Sequence, residues 1–192
     1  MSSDGINLTN QFLIAMPGML DGHFAGSVVY LCEHNAQGAL GLVINKPTDI
    51  TVGALFEKVD LTLADPALSE QPVYFGGPVQ TERGFVLHEP VPADAAAYAS
   101  TLAVPGGLAM TTSKDVLESM AGGQGPQRVL ITLGYSGWSA GQLEDEIGRN
   151  GWLTVAAEPS VVFDTPVEQR YQRALELLGV DPRMLSQEAG HA

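Results

Sequence analysis

The chain opens with three apolar runs set close together, each stopped by Pro, Gly or Asn. Phe12–Met16 reads as a buried strand ended by Pro17 and Gly18. Ser27–His34 reads as a second strand, and strict alternation along it places Val28, Tyr30, Cys32 and His34 on one face and Val29, Leu31 and Glu33 on the other. Asn35-Ala-Gln-Gly38 is a hairpin-length connection to a third strand, Ala39–Asn45, which Lys46-Pro47 stops. Thr51–Val59 changes period: Val52, Leu55, Phe56 and Val59 fall at helical spacing. A polar loop follows, then short strands at Pro72–Phe75, Gly84–Glu89 and Leu108–Thr111. Thr112 can cap a helix over Lys114–Ala121. Arg128–Leu133 is a strongly apolar strand that enters Gly134-Tyr-Ser-Gly-Trp138, read as a tight turn. Ser139 with Gln142 forms a capping-box pattern before a helix over Leu143–Arg149. Thr165, Pro166 and Glu168 start another, which runs to about Leu178 and stops at Gly179. Its stripe of Val167, Tyr171, Ala174, Leu175 and Leu178 is a core-packing face. Asp181-Pro182 starts a final turn or short helix.

Many short strands interleave irregularly with few helices, without the regular alternation of a doubly wound parallel sheet. The expected class is therefore α+β, with a strongly bent, largely antiparallel sheet. No repeat, low-complexity tract or clear linker divides the chain. It reads as a single domain over 1–192, looser over 1–10 and 186–192.

Composition narrows the function classes. The 192 residues can bury roughly 70% of the unfolded chain's surface, so a core needs no staples. The lone Cys32 excludes an internal disulfide and any multi-cysteine zinc site, which suits a reducing compartment. Met1-Ser-Ser-Asp-Gly5 lacks a positive n-region, and Phe12–Met16 is too short for a signal core or a membrane span. The expected location is the cytoplasm. The net charge is −13 with nine scattered Lys and Arg. Affinity for nucleic acid draws heavily on phosphate neutralisation, so this balance argues against direct nucleic-acid binding and against an anionic membrane partner.

Several residues could carry chemistry. Glu33, His34 and His88 supply the two histidines and carboxylate of a common metal-ligand set. The plainer role for Glu33 and His34 is hydrogen bonding to the Asn35–Gly38 turn. Cys32 with His34 suggests a thiolate pair, but residues two apart on a strand stand roughly 6.5–7 Å apart, and a cysteine inside an apolar run is more often a small hydrophobe. Gly134-Tyr-Ser-Gly-Trp138 has the strand-before, helix-after setting of a nucleophile elbow, but its second glycine comes one position early. Gly76-Gly77-Pro78 and Gly122-Gly-Gln-Gly125 lack the Gly-Lys-Ser/Thr of a phosphate loop. Thr111, Thr112 and Ser113 place three hydroxyls at a strand-to-helix junction, where they could bind an anion or simply cap the helix. Glu144-Asp-Glu146 reads as a solvated helix face.

Motifs spread over nearly the whole chain carry a family resemblance. They include Leu13-Ile-Ala-Met-Pro17, Ser27-Val-Val-Tyr-Leu-Cys-Glu-His-Asn35, Gly41-Leu-Val-Ile-Asn45, Gly76-Gly-Pro-Val79, Arg83-Gly-Phe-Val-Leu-His88, Thr111-Thr-Ser113, Leu133-Gly-Tyr-Ser-Gly-Trp138, Gly141-Gln-Leu-Glu144, Asn150-Gly-Trp-Leu153, Phe163-Asp164 and the closing Leu185-Ser and Ala189-Gly-His-Ala192. On these the chain resembles the AlgH/YqgE family of bacterial proteins. The resemblance implies an α+β fold whose bifurcated sheet curls into a pseudo-barrel, flanked by a few helices. Some members carry the label of transcriptional regulator, linked to alginate production, and the family has no assigned biochemical activity or catalytic residues. Gly22-His23 and Ala25-Gly26 stand where the family often has a Pro and an Arg.

The expectation is a non-catalytic binding or regulatory protein with no cofactor, whose partner is an unspecified protein or small molecule. If it regulates transcription, its charge implies an indirect route. The candidate ligand-binding residues are Glu33, His34, Asn35, His88, Thr111, Thr112 and Ser113. The alternative is an enzyme, such as a metal-dependent hydrolase, using a Glu33/His34/His88 pocket. A third is a scaffold that uses an exposed sheet edge or the tail Ser186–Ala192.

Overall fold

The first three strands form where the apolar runs place them. A computed structural model describes residues 7–17, 24–90 and 98–179. Strand β1 spans Gln11–Ala15, β2 Val28–Asn35 and β3 Gly38–Val43, paired antiparallel in that order. β2 reads as an unbroken apolar run because both of its faces are covered. Val28, Tyr30 and Cys32 join one apolar core, and Val29 and Leu31 join another. The remaining strands are β4 (Pro47–Thr51), β5 (Pro72–Phe75), β6 (Val79–His88), β7 (Thr101–Ala103), β8 (Ala109–Thr111), β9 (Val129–Ser139) and β10 (Trp152–Ala156). The helices are α1 (Val52–Lys58), α2 (Pro66–Ser69), α3 (Asp115–Ala121), α4 (Gln142–Gly148), α5 (Pro159–Phe163) and α6 (Arg170–Leu177). None of them is long and apolar enough to cross a membrane.

The main path of the sheet is β10-β1-β2-β3-β9-β6-β8-β7, antiparallel throughout, as expected for a mixed α+β protein. It forks at β9. Ser136–Ser139 pair with β3, whereas Thr132 and Leu133 pair in parallel with β5, which carries β4. β6 occupies the opposite edge of β9, its Gly84–His88 paired with Val129–Leu133. Glycines make the fork possible. A Cβ on Gly76 would lie 2.3 Å from the Gly134 carbonyl oxygen, and one on Gly77 would lie 2.1 Å from the Tyr135 carbonyl carbon. The Gly76 carbonyl accepts from Val43 N–H at 2.9 Å and from the Ser136 hydroxyl at 3.0 Å. The expected turn at Gly134–Trp138 is thus a strand. Gly134 does adopt a positive φ of 79°, but it serves a branching sheet rather than a chain reversal.

The sheet curls until its two ends meet through Tyr30. The Tyr30 hydroxyl donates to Asn10 Oδ1 at 2.8 Å and accepts from Leu108 N–H at 3.0 Å. Asn10 Nδ2 in turn donates to the Gly106 carbonyl. Gly107 lies so close that a Cβ there would sit 2.2 Å from Asn10 Oδ1 and 2.5 Å from the Tyr30 hydroxyl. Three apolar clusters fill the curl. α6 covers the first with Ala174 and Leu175, α4 the second with Leu143, and α1 and α3 the third with Phe56, Val116 and Met120.

Several start signals act differently from the sequence expectation. α3 begins at Asp115 without a side-chain cap, because Thr112 Oγ1 bonds Ser100 Oγ instead. Gln142 reaches back to Ser139 N–H as a capping box requires, but Gly141 holds the cap position. Val167–Gln169 is a 3₁₀ turn, so α6 starts only at Arg170, and Thr165 Oγ1 donates to the Ser160 carbonyl. The polar stretch after α1 holds α2, capped by Asp65 with Pro66 at its first position. The expected turn at Asp181-Pro182 and the tail Ser186–Ala192 lie outside the described residues.

Candidate functional site

A bulge in β2 decides what the Cys32–Asn35 cluster faces. Leu31 pairs with Gly41 and Glu33 with Leu40, so Cys32 is the extra residue and the alternation changes phase. His34 then pairs with Ala39, which pairs with Trp138, and all three stand on the α4 side of the sheet. The strict alternation expected from sequence is therefore corrected: His34 shares a face with Leu31, not with Cys32.

His34 is buried and held from three sides. Its Nδ1 accepts from Leu8 N–H at 3.0 Å, and its backbone N–H donates to Thr9 Oγ1 at 3.0 Å. Its Nε2 lies 3.2 Å from Glu144 Oε2, although the ring N–H is not well aimed at that oxygen. An Nδ1 that accepts leaves the proton on Nε2, beside the carboxylate. The imidazole ties the N-terminal segment to α4. The Asn35–Gly38 turn is fastened by Asn35 instead, whose Oδ1 accepts from Gln37 N–H at 2.8 Å.

His88 is buried elsewhere. Its Nδ1 donates to the Glu89 carbonyl and its Nε2 accepts from Thr111 Oγ1, both at 2.7 Å. Thr111 Oγ1 also bonds Thr101 Oγ1 at 2.8 Å. Burial holds the His88 imidazolium pKa below the ordinary histidine range. Ser113 Oγ accepts from Ser100 N–H and donates to Asp115 Oδ1, and that bond lowers the Asp115 pKa. All three hydroxyls of Thr111–Ser113 are thus engaged with neighbouring residues.

The structure keeps the two histidines apart. The row through His34 reaches β9 at Trp138, and His88 pairs with β9 at Val129. Those positions are separated by about 30 Å of strand at ~3.3 Å per residue. Among the described residues no group of three His, Cys, Asp or Glu is placed to hold a metal ion.

Around Glu33 the side chains are open. A cleft of about 510 Å³ lies between the end of β2 and the turn after β7, lined by Asn7, Thr9, Cys32, Glu33, His34 and Asn35 on one side and Leu102, Ala103 and Pro105 on the other. A second cleft of about 240 Å³ shares Glu33 and Asn35 and reaches Trp138. Glu33 is exposed, and its side chain makes no hydrogen bond or ion pair among the described residues. Cys32 is buried, and burial, with the nearby Glu33 charge, pushes its thiol up to about 12, far from a thiolate at neutral pH. Ser136 is fully buried and spends its hydroxyl on Gly76, so it is no exposed nucleophile.

Sequence reasoning missed two anchors. Glu146 Oε1 accepts from the indole N–H groups of Trp138 at 3.0 Å and Trp152 at 2.9 Å, and Phe24 packs against both rings. In the expected solvated face only Asp145, paired with exposed Arg149, behaves so. Arg170 is buried, donates to the Thr165 and Ile44 carbonyls and lies over the Tyr74 ring. Its only sequence signal is a charge set inside the apolar stripe of the last helix.

A model of the AlgH-like family matches residues 12–183. A UPF0301 protein of Ralstonia nicotianae is 67% identical over 187 residues, covering 97% of this chain and 96% of its own length. A UPF0301 protein of Cupriavidus pinatubonensis is 68% identical with the same coverage. Among solved structures, the AlgH protein from Pseudomonas aeruginosa is 48% identical, superposes with a TM-score of 0.77 and covers both chains fully. A Corynebacterium diphtheriae protein at 21% identity, covering 92% of this chain and 89% of its own, shares the fold with a TM-score of 0.68. By sequence over nearly its whole length, this chain belongs to the AlgH-like family.

Proposed function

We propose that this AlgH-like protein is a non-catalytic binding protein of the bacterial cytoplasm, acting in regulation through the ligand or partner it holds. One contrast supports the reading. The side chains best suited to chemistry are spent on the fold: His34 on Leu8 and Glu144, His88 on Thr111 and Glu89, and Ser136 on Gly76. The Glu33 carboxylate, which has no partner among the described residues, faces a cleft of ligand size. Any effect on transcription runs through another protein, because a net charge of −13 opposes phosphate contact.

Two assays test this. A substrate screen should find no turnover that His34→Ala or His88→Ala abolishes. A salt titration with duplex DNA should find only weak association without sequence preference. Selective, tight DNA binding by the purified chain would refute the indirect route, and turnover lost in either histidine variant would refute the binding role.

A further inference from the structure

We infer that the Glu33 cleft receives a small organic cation, an ammonium or guanidinium on a short aliphatic body. This rests on the binding role proposed above and names the chemistry of the ligand. The cleft divides by polarity. Glu33, Asn35 and Thr9 line one wall, and Leu102, Ala103 and Pro105 line the other. A ligand matched to it carries a polar head for the first wall and a methylene body for the second.

Charge sets the sign of the head. Glu33 is the carboxylate at the mouth, exposed and without a counter-ion among the described residues. Most described cations are committed elsewhere: Arg128 to Glu89 and Asp164, Arg149 to Asp145, Arg173 to Glu176, Lys46 to the Ala25 carbonyl, Arg83 to Gln80 and the Phe85 ring, and Arg170 to two carbonyls and a ring, while Lys58 and Lys114 line neither cleft. A chain of net charge −13 draws cations toward such a mouth and repels anions. An anionic head would meet an unpaired carboxylate, with no arginine or lysine among the described residues lining either cleft to offset it. Glu33 also sits on the ridge shared with the second cleft, so a cation bound there is within reach of Asn35 from both sides. Cys32 lies beneath with its thiol protonated, so it adds no second charge.

The test is a titration of the full isotope-labelled chain at low salt, followed by amide and side-chain NMR shifts. The probes are agmatine, n-butylamine, n-butanol, butyrate and a capped Ala-Arg-Ala peptide. Agmatine and n-butylamine should shift Thr9, the Asn35 side-chain amide and Ala103 saturably. Glu33→Gln should weaken that binding by up to about fivefold, the effect of losing as much as roughly 1 kcal/mol of an exposed charge pair. Glu33→Asp should retain part of it. Glu33 is exposed, so neither change disturbs packing, and unshifted spectra away from the cleft confirm the fold. Equal shifts with butyrate or n-butanol, agmatine binding unchanged in Glu33→Gln, or no saturable shift with any amine would overturn the cationic assignment while leaving the binding role standing. Binding of the peptide without agmatine would overturn the small-molecule assignment. Chemical conversion of agmatine would instead overturn the binding role.

Discussion

Replacing Tyr30 with Phe removes one oxygen and nothing else from a fully buried ring, so it isolates the contact that closes the curled sheet. The ring keeps its place in the first core and its edge contact with Phe12, at 6.3 Å between centroids. Two hydrogen bonds go. Leu108 N–H is in a buried residue, and left without an acceptor it costs about 1–3 kcal/mol. Asn10 is half-buried, so water can replace the lost donor at its Oδ1, and the net loss there is about 0.5–1 kcal/mol. The sum is about 1.5–4 kcal/mol. At this chain length each kcal/mol moves Tm by roughly 2–4 °C, so the variant should melt about 3–16 °C lower. Urea unfolding followed by circular dichroism measures the stability, and hydrogen exchange reads the Leu108 amide directly. A double-mutant cycle with Asn10→Ala should show coupling of about 0.5–1 kcal/mol. A loss under about 0.5 kcal/mol, with Leu108 still protected, would refute the assignment of this hydroxyl as the closure between the two ends of the sheet.

Other consequences follow from named contacts. Gly76→Ala drives a Cβ to within 2.3 Å of the Gly134 carbonyl oxygen, backbone against strand, so it should cost more than about 3 kcal/mol or prevent soluble expression. His34→Ala should raise hydrogen exchange at Leu8 well before it affects α6, because the imidazole Nδ1 is the acceptor of that amide. The depressed His88 pKa means the unfolded chain takes up the proton first, so its contribution to stability is present above about pH 6.5 and is lost as pH falls through the lower folded value. The unfolding free energy from urea titration should therefore drop faster below pH 6.5 in wild type than in His88→Gln, by at most about 1.4 kcal/mol per pH unit. Equal slopes would show that His88 is not held neutral.

What could be read from sequence was local. β1, β2, β3 and β5 announced themselves because strands covered on both faces need continuous apolar runs. That same continuity hid the bulge at Cys32, since a run without alternation carries no phase, and it put His34 on the wrong face. Gly134-Tyr-Ser-Gly-Trp138 was legible as a glycine-bearing irregularity that reads as a tight turn, but nothing local distinguishes a sheet fork from a turn. The distinction lies in Gly76 and Gly77, far away in the chain. β4 and β7 were missed because both are short and largely exposed, and β10 because its pattern is weak. The Glu33–Asn35 cluster was legible as polar residues at a strand end. Its apolar wall at Leu102–Pro105 was not, because only the curl of the sheet brings that turn across to β2. His34 and His88 looked like one pair of ligands because sequence gives no distance across the sheet, and the fold uses each for a separate anchor.

Equilibrium dialysis of the purified chain against a defined mixture of bacterial metabolites, analysed by mass spectrometry, tests the central claim most directly. The account predicts that no metabolite is consumed, and that the compounds retained with the protein are cationic and are released by Glu33→Gln. Consumption of a metabolite by wild type that disappears in His34→Ala or His88→Ala would contradict it.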